Sequence, residues 1–177
     1  MRELTKDEML KYFDEINSRL AKENKHGEII IAGGAALTLV WGARNSTYDI
    51  DAIFEPKEDM RTIISDIAAA YKLNADWLND GVKGFMTEKM GYDKYLELSN
   101  LTVHNINAES MLAMKLTSAR TNTKDMDDSI FLMKALGIKA EDELFAIIEK
   151  YIHPNHQTIA SNFFTQEAFG RYKRLVD

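Results

Sequence analysis

Apolar side chains recur at helical spacing in the first twenty residues of the chain. Met9, Phe13, Ile16 and Leu20 follow one another at intervals of three and four, the pattern of one buried face of an amphipathic helix. Thr5 and Glu8 have the spacing of a capping box, in which each side chain satisfies a backbone N–H of the first turn. The pattern therefore predicts a helix over residues 5–23.

The middle of the chain alternates between strand patterns and helical patterns. Residues 28–32 are a short β-branched run, whereas residues 48–54 alternate polar and apolar side chains, as a half-buried strand does. Gly33 and Gly34 separate the first run from a short helical segment, and residues 58–71 predict a longer helix. Two further strands are predicted over residues 95–98 and 101–106. Residues 74–90 have no clear period, and we expect turns there.

From residue 108 onward the pattern is helical throughout. The predicted helices cover residues 109–117, 125–136, 140–152 and 165–175. Strands mixed with helices and followed by helices alone indicate an α/β (α+β) protein, with a small mixed sheet flanked by helices. We expect residues 1–106 to form this core and residues 107–177 to form a helical carboxy-terminal region packed on it.

The composition of the chain excludes several classes of protein. The 177 residues include no cysteine, which excludes disulfides and cysteine-ligated zinc. No stretch approaches the roughly 20 apolar residues of a membrane-spanning helix, and the charged start MRELTKDEML is unlike a signal peptide. We expect a cytoplasmic protein that does not contact the membrane. The net charge of −6 argues against a broad nucleic-acid footprint.

The candidate chemistry lies between the two predicted strands. Asp49 and Asp51 are two residues apart on a strand and therefore project from the same face. Adjacent carboxylates repel unless a cation or a proton relieves them, and hard oxygen ligands of this kind suit magnesium bound together with substrate phosphates. Gly33 and Gly34 let a backbone approach a phosphate closely. Each feature alone is often a tight turn or a solvated strand face, so their order and proximity carry the functional interpretation.

Residues 33–54 resemble the signature of the nucleotidyltransferase superfamily, a Gly-Gly or Gly-Ser pair followed by a helix and an Asp-x-Asp strand. Arg44 and Thr47 before Asp49-Ile50-Asp51 are similar to the AbiEii-type toxin branch and its uncharacterised minimal relatives. The resemblance continues downstream at Lys115 and at the element Lys124-Asp125-x-x-Asp128. The sheet is therefore expected to be nucleotidyltransferase-like.

The resemblance implies transfer of a nucleotidyl group from a nucleoside triphosphate to an acceptor hydroxyl. Asp49 and Asp51 would hold two magnesium ions, and Glu97 is our candidate for a third catalytic carboxylate. Asp125 and Asp128 would serve as a base or as metal ligands. The substrate would be bound by Gly33, Gly34, Arg44, Thr47 and Lys115.

Several alternatives stay open at this stage. Ala35 stands where AbiEii-type toxins often carry a hydroxyl, so a non-catalytic descendant that binds a nucleotide or a partner competes with an active transferase. An active enzyme would modify an RNA or a protein and would have a cognate antitoxin if it is a toxin. A third hypothesis is a helical interaction module, which exposed apolar stripes in the carboxy-terminal half would support. Trp77 is either a base-stacking residue or a core residue, and the role of Arg120 is open.

Overall fold

The computed structural model describes residues 2–84, 86–118 and 124–176. The chain folds as two compact units. The first comprises Met1–Gly84 and Tyr92–Ile106, and the second comprises Phe85–Gly91 and Asn107–Asp177. The second unit thus takes in residues 85–91, which precede the last two strands of the first unit in the sequence.

The first unit is built on a five-stranded mixed sheet. Its strands are β2 (Gly27–Ile31), β4 (Ile50–Glu55), β5 (Leu78–Asn79), β6 (Tyr92–Glu97) and β7 (Leu101–Ile106), arranged in the order β5-β4-β2-β7-β6. In the centre, β2 pairs antiparallel with β4 and parallel with β7. The edge strands are β5, parallel to β4, and β6, antiparallel to β7.

One face of this sheet is buried beneath two helices, α1 (Lys6–Lys22) and α3 (Lys57–Tyr71). Helix α1 contacts β7 and α3 contacts β4, while the two helices contact each other. The strand side chains that face them are buried, namely Ile29, Ile31, Ile50, Ala52, Phe54, Leu101 and Val103. Side chains alternate along a strand, so the polar residues of β4 point to the opposite face.

Two small elements lie around the end of β2. Helix α2 (Gly33–Leu39) begins directly after the strand. A two-stranded sheet joins β1 (Leu4–Thr5) to β3 (Ser46–Thr47), with Leu4 opposite Thr47 and Thr5 opposite Ser46. This pairing ties the residues before α1 to the loop that leads into β4.

The second unit contains four α-helices among its described residues. Its helices are α4 (Ala108–Ser118), α5 (Asp125–Leu136), α6 (Glu141–Tyr151) and α7 (Ile159–Val176). Helix α4 contacts each of the other three. Gly137 adopts φ = 67° after α5, the left-handed helix ending that glycine favours.

The α+β class predicted from the sequence is confirmed, and so are the main helices and strands. The differences lie in short elements and at the starts of strands: β6 begins at Tyr92 instead of residue 95, and β4 begins at Ile50 instead of residue 48, which leaves Asp49 just before the strand. The small β1–β3 sheet and β5 have only two residues per strand, too few to show a period, and α7 begins at Ile159 instead of residue 165. Among the described residues, no helix is long and apolar enough to cross a membrane.

Candidate active site

Gly33 and Asp51 are in close contact at the start of α2. Gly33 has φ = +58°, and a Cβ atom added to it would lie 2.8 Å from Asp51 Oδ2. The backbone N–H of Ala32 also donates to the Asp51 carbonyl at 2.8 Å. The glycine therefore serves two needs, a left-handed backbone and room for a carboxylate beside the main chain.

Arg44 and Thr47 lie over the neighbouring glycine. A Cβ atom on Gly34 would lie 2.5 Å from Thr47 Oγ1 and 3.2 Å from Arg44 Nη1. Thr47 is buried, and Arg44 is half-buried. The structure thus brings a guanidinium and a hydroxyl to the same turn that faces Asp51.

The loop that carries Arg44 and Thr47 is held by the start of the chain. Pairing of β1 with β3 fixes Thr47 opposite Leu4, and the Ser46 hydroxyl donates to Glu3 Oε2 at 2.5 Å. The far end of α2 is fixed as well, because the Leu39 carbonyl accepts from Lys6 Nζ at 3.0 Å and from the Tyr95 hydroxyl at 3.3 Å. The loop that covers the glycine turn and the end of the helix that follows the turn are therefore both held by contacts with other elements.

Asp49 immediately precedes β4 and is electrostatically coupled to Asp51. Burial raises the pKa of the Asp49 carboxyl above its usual range, and the negative charge of Asp51 raises it further. A backbone hydrogen bond opposes this rise, while Asp76 adds to it. The folded protein therefore holds two carboxylates that repel each other, the condition that a cation relieves.

Two polar residues beside this pair were not identified from the sequence as site residues. Asp76 acts on Asp49 through its charge, and Asn79 lies opposite Asp51 in the pairing of β4 with β5. The Asn79 side chain accepts from the Gly81 N–H at 2.9 Å and donates to the Asp76 carbonyl at 3.3 Å. A two-residue strand leaves no periodic signal, so only the register reveals this neighbour.

Glu97, the expected third carboxylate, is not brought to the aspartate pair. Glu97 pairs with Thr102 of β7, and Thr102 pairs with Glu28 of β2. Glu28 in turn pairs with Glu55, which lies four residues along β4 from Asp51. Three strand spacings and four residues separate the two side chains, about 20 Å in a pleated sheet. An exposed ion pair with Lys94 (Nζ to Oε2, 2.6 Å) lowers the pKa of Glu97.

Lys115, Asp125 and Asp128 are brought together within the second unit. The Lys115 Nζ lies 2.6 Å from Asp125 Oδ1 and 2.9 Å from Asp128 Oδ2, and all three side chains are at most 14% exposed. The Ser118 hydroxyl donates to the other Asp125 oxygen at 3.0 Å. We refer to Lys115, Asp125 and Asp128 as the buried triad, which links α4 to α5 and carries a formal charge of −1.

The other candidate residues are placed as follows. Trp77 is buried, and its indole N–H donates to the Ile64 carbonyl at 3.1 Å, so it belongs to the core. Ile159 and Phe163 are exposed on α7, four residues apart. Arg120 lies outside the described residues. The part of the chain that the structure describes holds no group of three or more His, Cys, Asp or Glu side chains arranged for a metal ion.

The mixed sheet, the glycine turn against Asp51 and the coupled Asp49 define a core of the nucleotidyltransferase class. The model of the family described as a nucleotidyltransferase of unknown function (DUF6036) matches residues 7–134. The chain belongs to this family. The match spans the whole glycine turn, the aspartate pair and the buried triad. Searches of curated proteins and of solved structures found no significant match.

Proposed function

We propose that this protein binds a nucleoside triphosphate together with magnesium and transfers a nucleotidyl group to an acceptor hydroxyl. The observation that carries the proposal is the contact of Gly33 with Asp51, next to an Asp49 whose pKa is raised. In a member of a nucleotidyltransferase family, two coupled carboxylates beside a glycine turn are the expected place for metal and phosphate.

Asp49 and Asp51 would hold the magnesium. Magnesium is usually bound by one or two protein carboxylates, while water and substrate phosphates occupy its other coordination positions. The bound metal would neutralise the phosphate oxygens and the charge that develops on the departing pyrophosphate. The number of ions, expected to be two from the family resemblance, can be counted by titration with Mn²⁺.

Arg44 and Thr47 would bind the triphosphate. Arg44 brings a guanidinium, which matches phosphate geometry with several N–H donors, to 3.2 Å from the Cβ position of Gly34. Thr47 adds a hydroxyl at the same turn. Thr47 belongs to β3, which pairs with β1, so this hydroxyl is held in place before a ligand arrives.

The transfer itself breaks one bond and makes one. The acceptor oxygen attacks the α-phosphorus, the bond from this phosphorus to the oxygen bridging the β-phosphate breaks, and pyrophosphate leaves. The acceptor proton passes to a carboxylate, for which the family resemblance suggests Asp125 or Asp128. It suggests Lys115 as the residue that contacts phosphate. Most of the catalytic effect in such reactions comes from positioning and charge.

The test is incubation of the protein with α-labelled triphosphates, magnesium and a lysate that contains protein and RNA acceptors. We expect labelled product from the parent protein and none from Asp51→Asn. Asp93→Asn is the matched control, because Asp93 is an exposed strand carboxylate of the same unit. Equal labelling by the parent and Asp51→Asn would contradict the proposal.

A second candidate function is a non-catalytic descendant that binds the nucleotide or a partner protein. It is supported by the position of Glu97, about four strand residues and three strands from Asp51, and by the buried Ala35, which leaves no hydroxyl at that position of the turn. Magnesium-dependent binding of triphosphate without any labelled product, under all acceptor conditions, would favour this function.

A cellular role follows from the similarity of Arg44, Thr47, Asp49 and Asp51 to AbiEii-type toxins. We propose that the transfer is toxic, as part of a toxin–antitoxin or phage-defence pair with a cognate antitoxin. Induced expression of the parent protein would then arrest growth, whereas Asp51→Asn at the same protein level would not. Arrest by both proteins would separate toxicity from the aspartate site and contradict this role.

A further inference from the structure

The turn that leads into β5 lies beside the start of β4. A hydrogen bond from the Trp77 N–H to the Asn74 carbonyl closes this turn at 3.1 Å. The Trp77 carbonyl in turn accepts from the Ile50 N–H at 2.7 Å. Asp76 directly precedes Trp77, and Asp49 directly precedes Ile50. The hydrogen bond therefore brings the two aspartates onto neighbouring stretches of main chain.

Two further contacts hold the turn in place. The Asn79 side chain donates to the Asp76 carbonyl at 3.3 Å and accepts from the Gly81 N–H at 2.9 Å. The Trp77 indole N–H donates to the Ile64 carbonyl at 3.1 Å, which ties the turn to α3. The contact made by Asp76 uses its main-chain oxygen. The turn therefore keeps this contact when the carboxylate of Asp76 is replaced.

Asp76 brings a third negative charge to the aspartate pair. Burial and then the charge of Asp51 raise the pKa of the Asp49 carboxyl, and the charge of Asp76 adds to this rise. Asp76 is exposed, whereas Asp49 and Asp51 are half-buried. Asp76 is thus the member of the three that solvent reaches most freely.

The three carboxylates do not converge as a set of direct metal ligands. Among the residues that the structure describes, no three His, Cys, Asp or Glu side chains are arranged around one ion position. Magnesium commonly keeps several of its waters when one or two carboxylates bind it. Residues beyond the direct ligands then hold and orient what the metal binds. An exposed carboxylate beside a site with two aspartates is suited to this indirect contact.

We propose that Asp76 is a positioning residue of the magnesium site, an inference that rests on the proposed function. Asp76 accepts a hydrogen bond from a water bound to the magnesium that Asp49 and Asp51 hold. Such a hydrogen bond to a charged acceptor stabilises the ion in the site without adding a direct ligand. Asp76 thereby lowers the magnesium concentration at which the nucleotide binds.

The experiment measures ATP binding to the full chain by calorimetry at a series of magnesium concentrations. Asp76→Asn removes the charge but keeps the size of the side chain and the carbonyl that Asn79 contacts. We expect the magnesium concentration for half-maximal binding to rise about tenfold. The ATP affinity at saturating magnesium and the midpoint of urea unfolding should stay at the parent values. Asp76→Glu keeps the charge and should restore most of the magnesium affinity.

Asp80→Asn is the matched control for loss of a nearby negative charge. Asp80 directly follows β5, and its carboxylate already has a cation partner in Arg61 at 3.1 Å. The control should leave the magnesium requirement unchanged. Equal shifts in Asp76→Asn and Asp80→Asn would overturn the proposal, because a general change in electrostatic potential would explain both. An unchanged magnesium requirement in Asp76→Asn would overturn it as well.

A complete loss of binding in Asp76→Asn has a different meaning. If no magnesium concentration restored binding, as we expect for Asp51→Asn, Asp76 would be a direct ligand and the contact through water would be wrong. Each of these outcomes leaves the proposed function intact. Absence of magnesium-dependent ATP binding in the parent protein would instead overturn the proposed function itself.

Discussion

Gly33 and Asp51 are so close that no other side chain can occupy position 33 without moving the carboxylate. A Cβ atom added at Gly33 would lie only 2.8 Å from Asp51 Oδ2, and the Gly33 backbone has φ = +58°. A substitution at position 33 would therefore both strain the backbone and displace the Asp51 carboxylate. The two effects can be separated by experiment.

Gly33→Ala should lose about 1–2 kcal/mol of unfolding free energy, because an L-residue is strained in the left-handed region. It should also abolish magnesium-dependent nucleotide binding, since Asp51 must move. Gly137→Ala is the control: Gly137 has φ = +67°, but nothing lies within 4 Å of its added Cβ. We expect a similar loss of stability there with normal binding. Equal nucleotide affinity in the two variants, measured by calorimetry, would show that the Asp51 position is unimportant.

Asp49 should make the ligand-free protein less stable as the pH rises. Its pKa is raised in the folded state by burial and by Asp51, so the folded protein binds more protons than the unfolded chain in this range. Unfolding free energy then falls from the ordinary carboxyl range up to the raised pKa. Urea unfolding across a pH series should show this fall in the parent and a smaller one in Asp49→Asn. A difference between the two proteins that does not vary with pH would contradict the assignment.

The buried triad should be far more sensitive to loss of its cation than an exposed ion pair is. Lys115→Met leaves two largely buried carboxylates, Asp125 and Asp128, without their ammonium partner, and we expect a loss of about 3–5 kcal/mol. Lys94→Met removes an exposed pair with Glu97 and should leave the unfolding free energy nearly unchanged, because solvent screens the pair. Chemical denaturation measures the unfolding free energy of each variant. Comparable small losses would mean that these charges are not held in a buried, mutually dependent ion-pair cluster.

Trp77 should matter for stability and not for nucleotide binding. Trp77→Phe removes the indole N–H that donates to the Ile64 carbonyl in the core, which should cost about 1–3 kcal/mol. Nucleotide affinity should stay at the parent value, because the ring is buried. A large fall in affinity at constant stability would instead support the stacking role considered from the sequence.

Periodicity predicted the long elements well because their patterns extend over several turns or residues. Helix α1 has five buried residues at helical spacing, four of which carry the pattern read from the sequence, and β4 has the alternation expected of a half-buried strand. The convergence of Gly33, Gly34, Arg44 and Thr47 near Asp51 followed from a recognisable local motif. These residues lie within about twenty positions of one another, so local geometry largely decides their proximity.

Long-range register could not be predicted in the same way. Glu97 lies on a predicted strand, but only the order β4-β2-β7-β6 shows how far it is from Asp51. Asn79 is the opposite case, since a two-residue strand places it beside Asp51 without any pattern in the sequence. Lys115 was expected from the sequence to contact phosphate. Its ion pairs with Asp125 and Asp128 could not be predicted, because they depend on the way α4 packs against α5.

The position of β7 in the sheet has a consequence for the order of assembly during synthesis. Strand β7 follows all the other strands in the sequence, yet it pairs with β2 in the middle of the sheet. Until residue 106 has emerged from the ribosome, β2 presents an unpaired edge of apolar residues, a surface prone to joining other chains. The nascent protein is therefore most vulnerable to aggregation while residues 32–106 are being made, which predicts a need for chaperone protection over that interval.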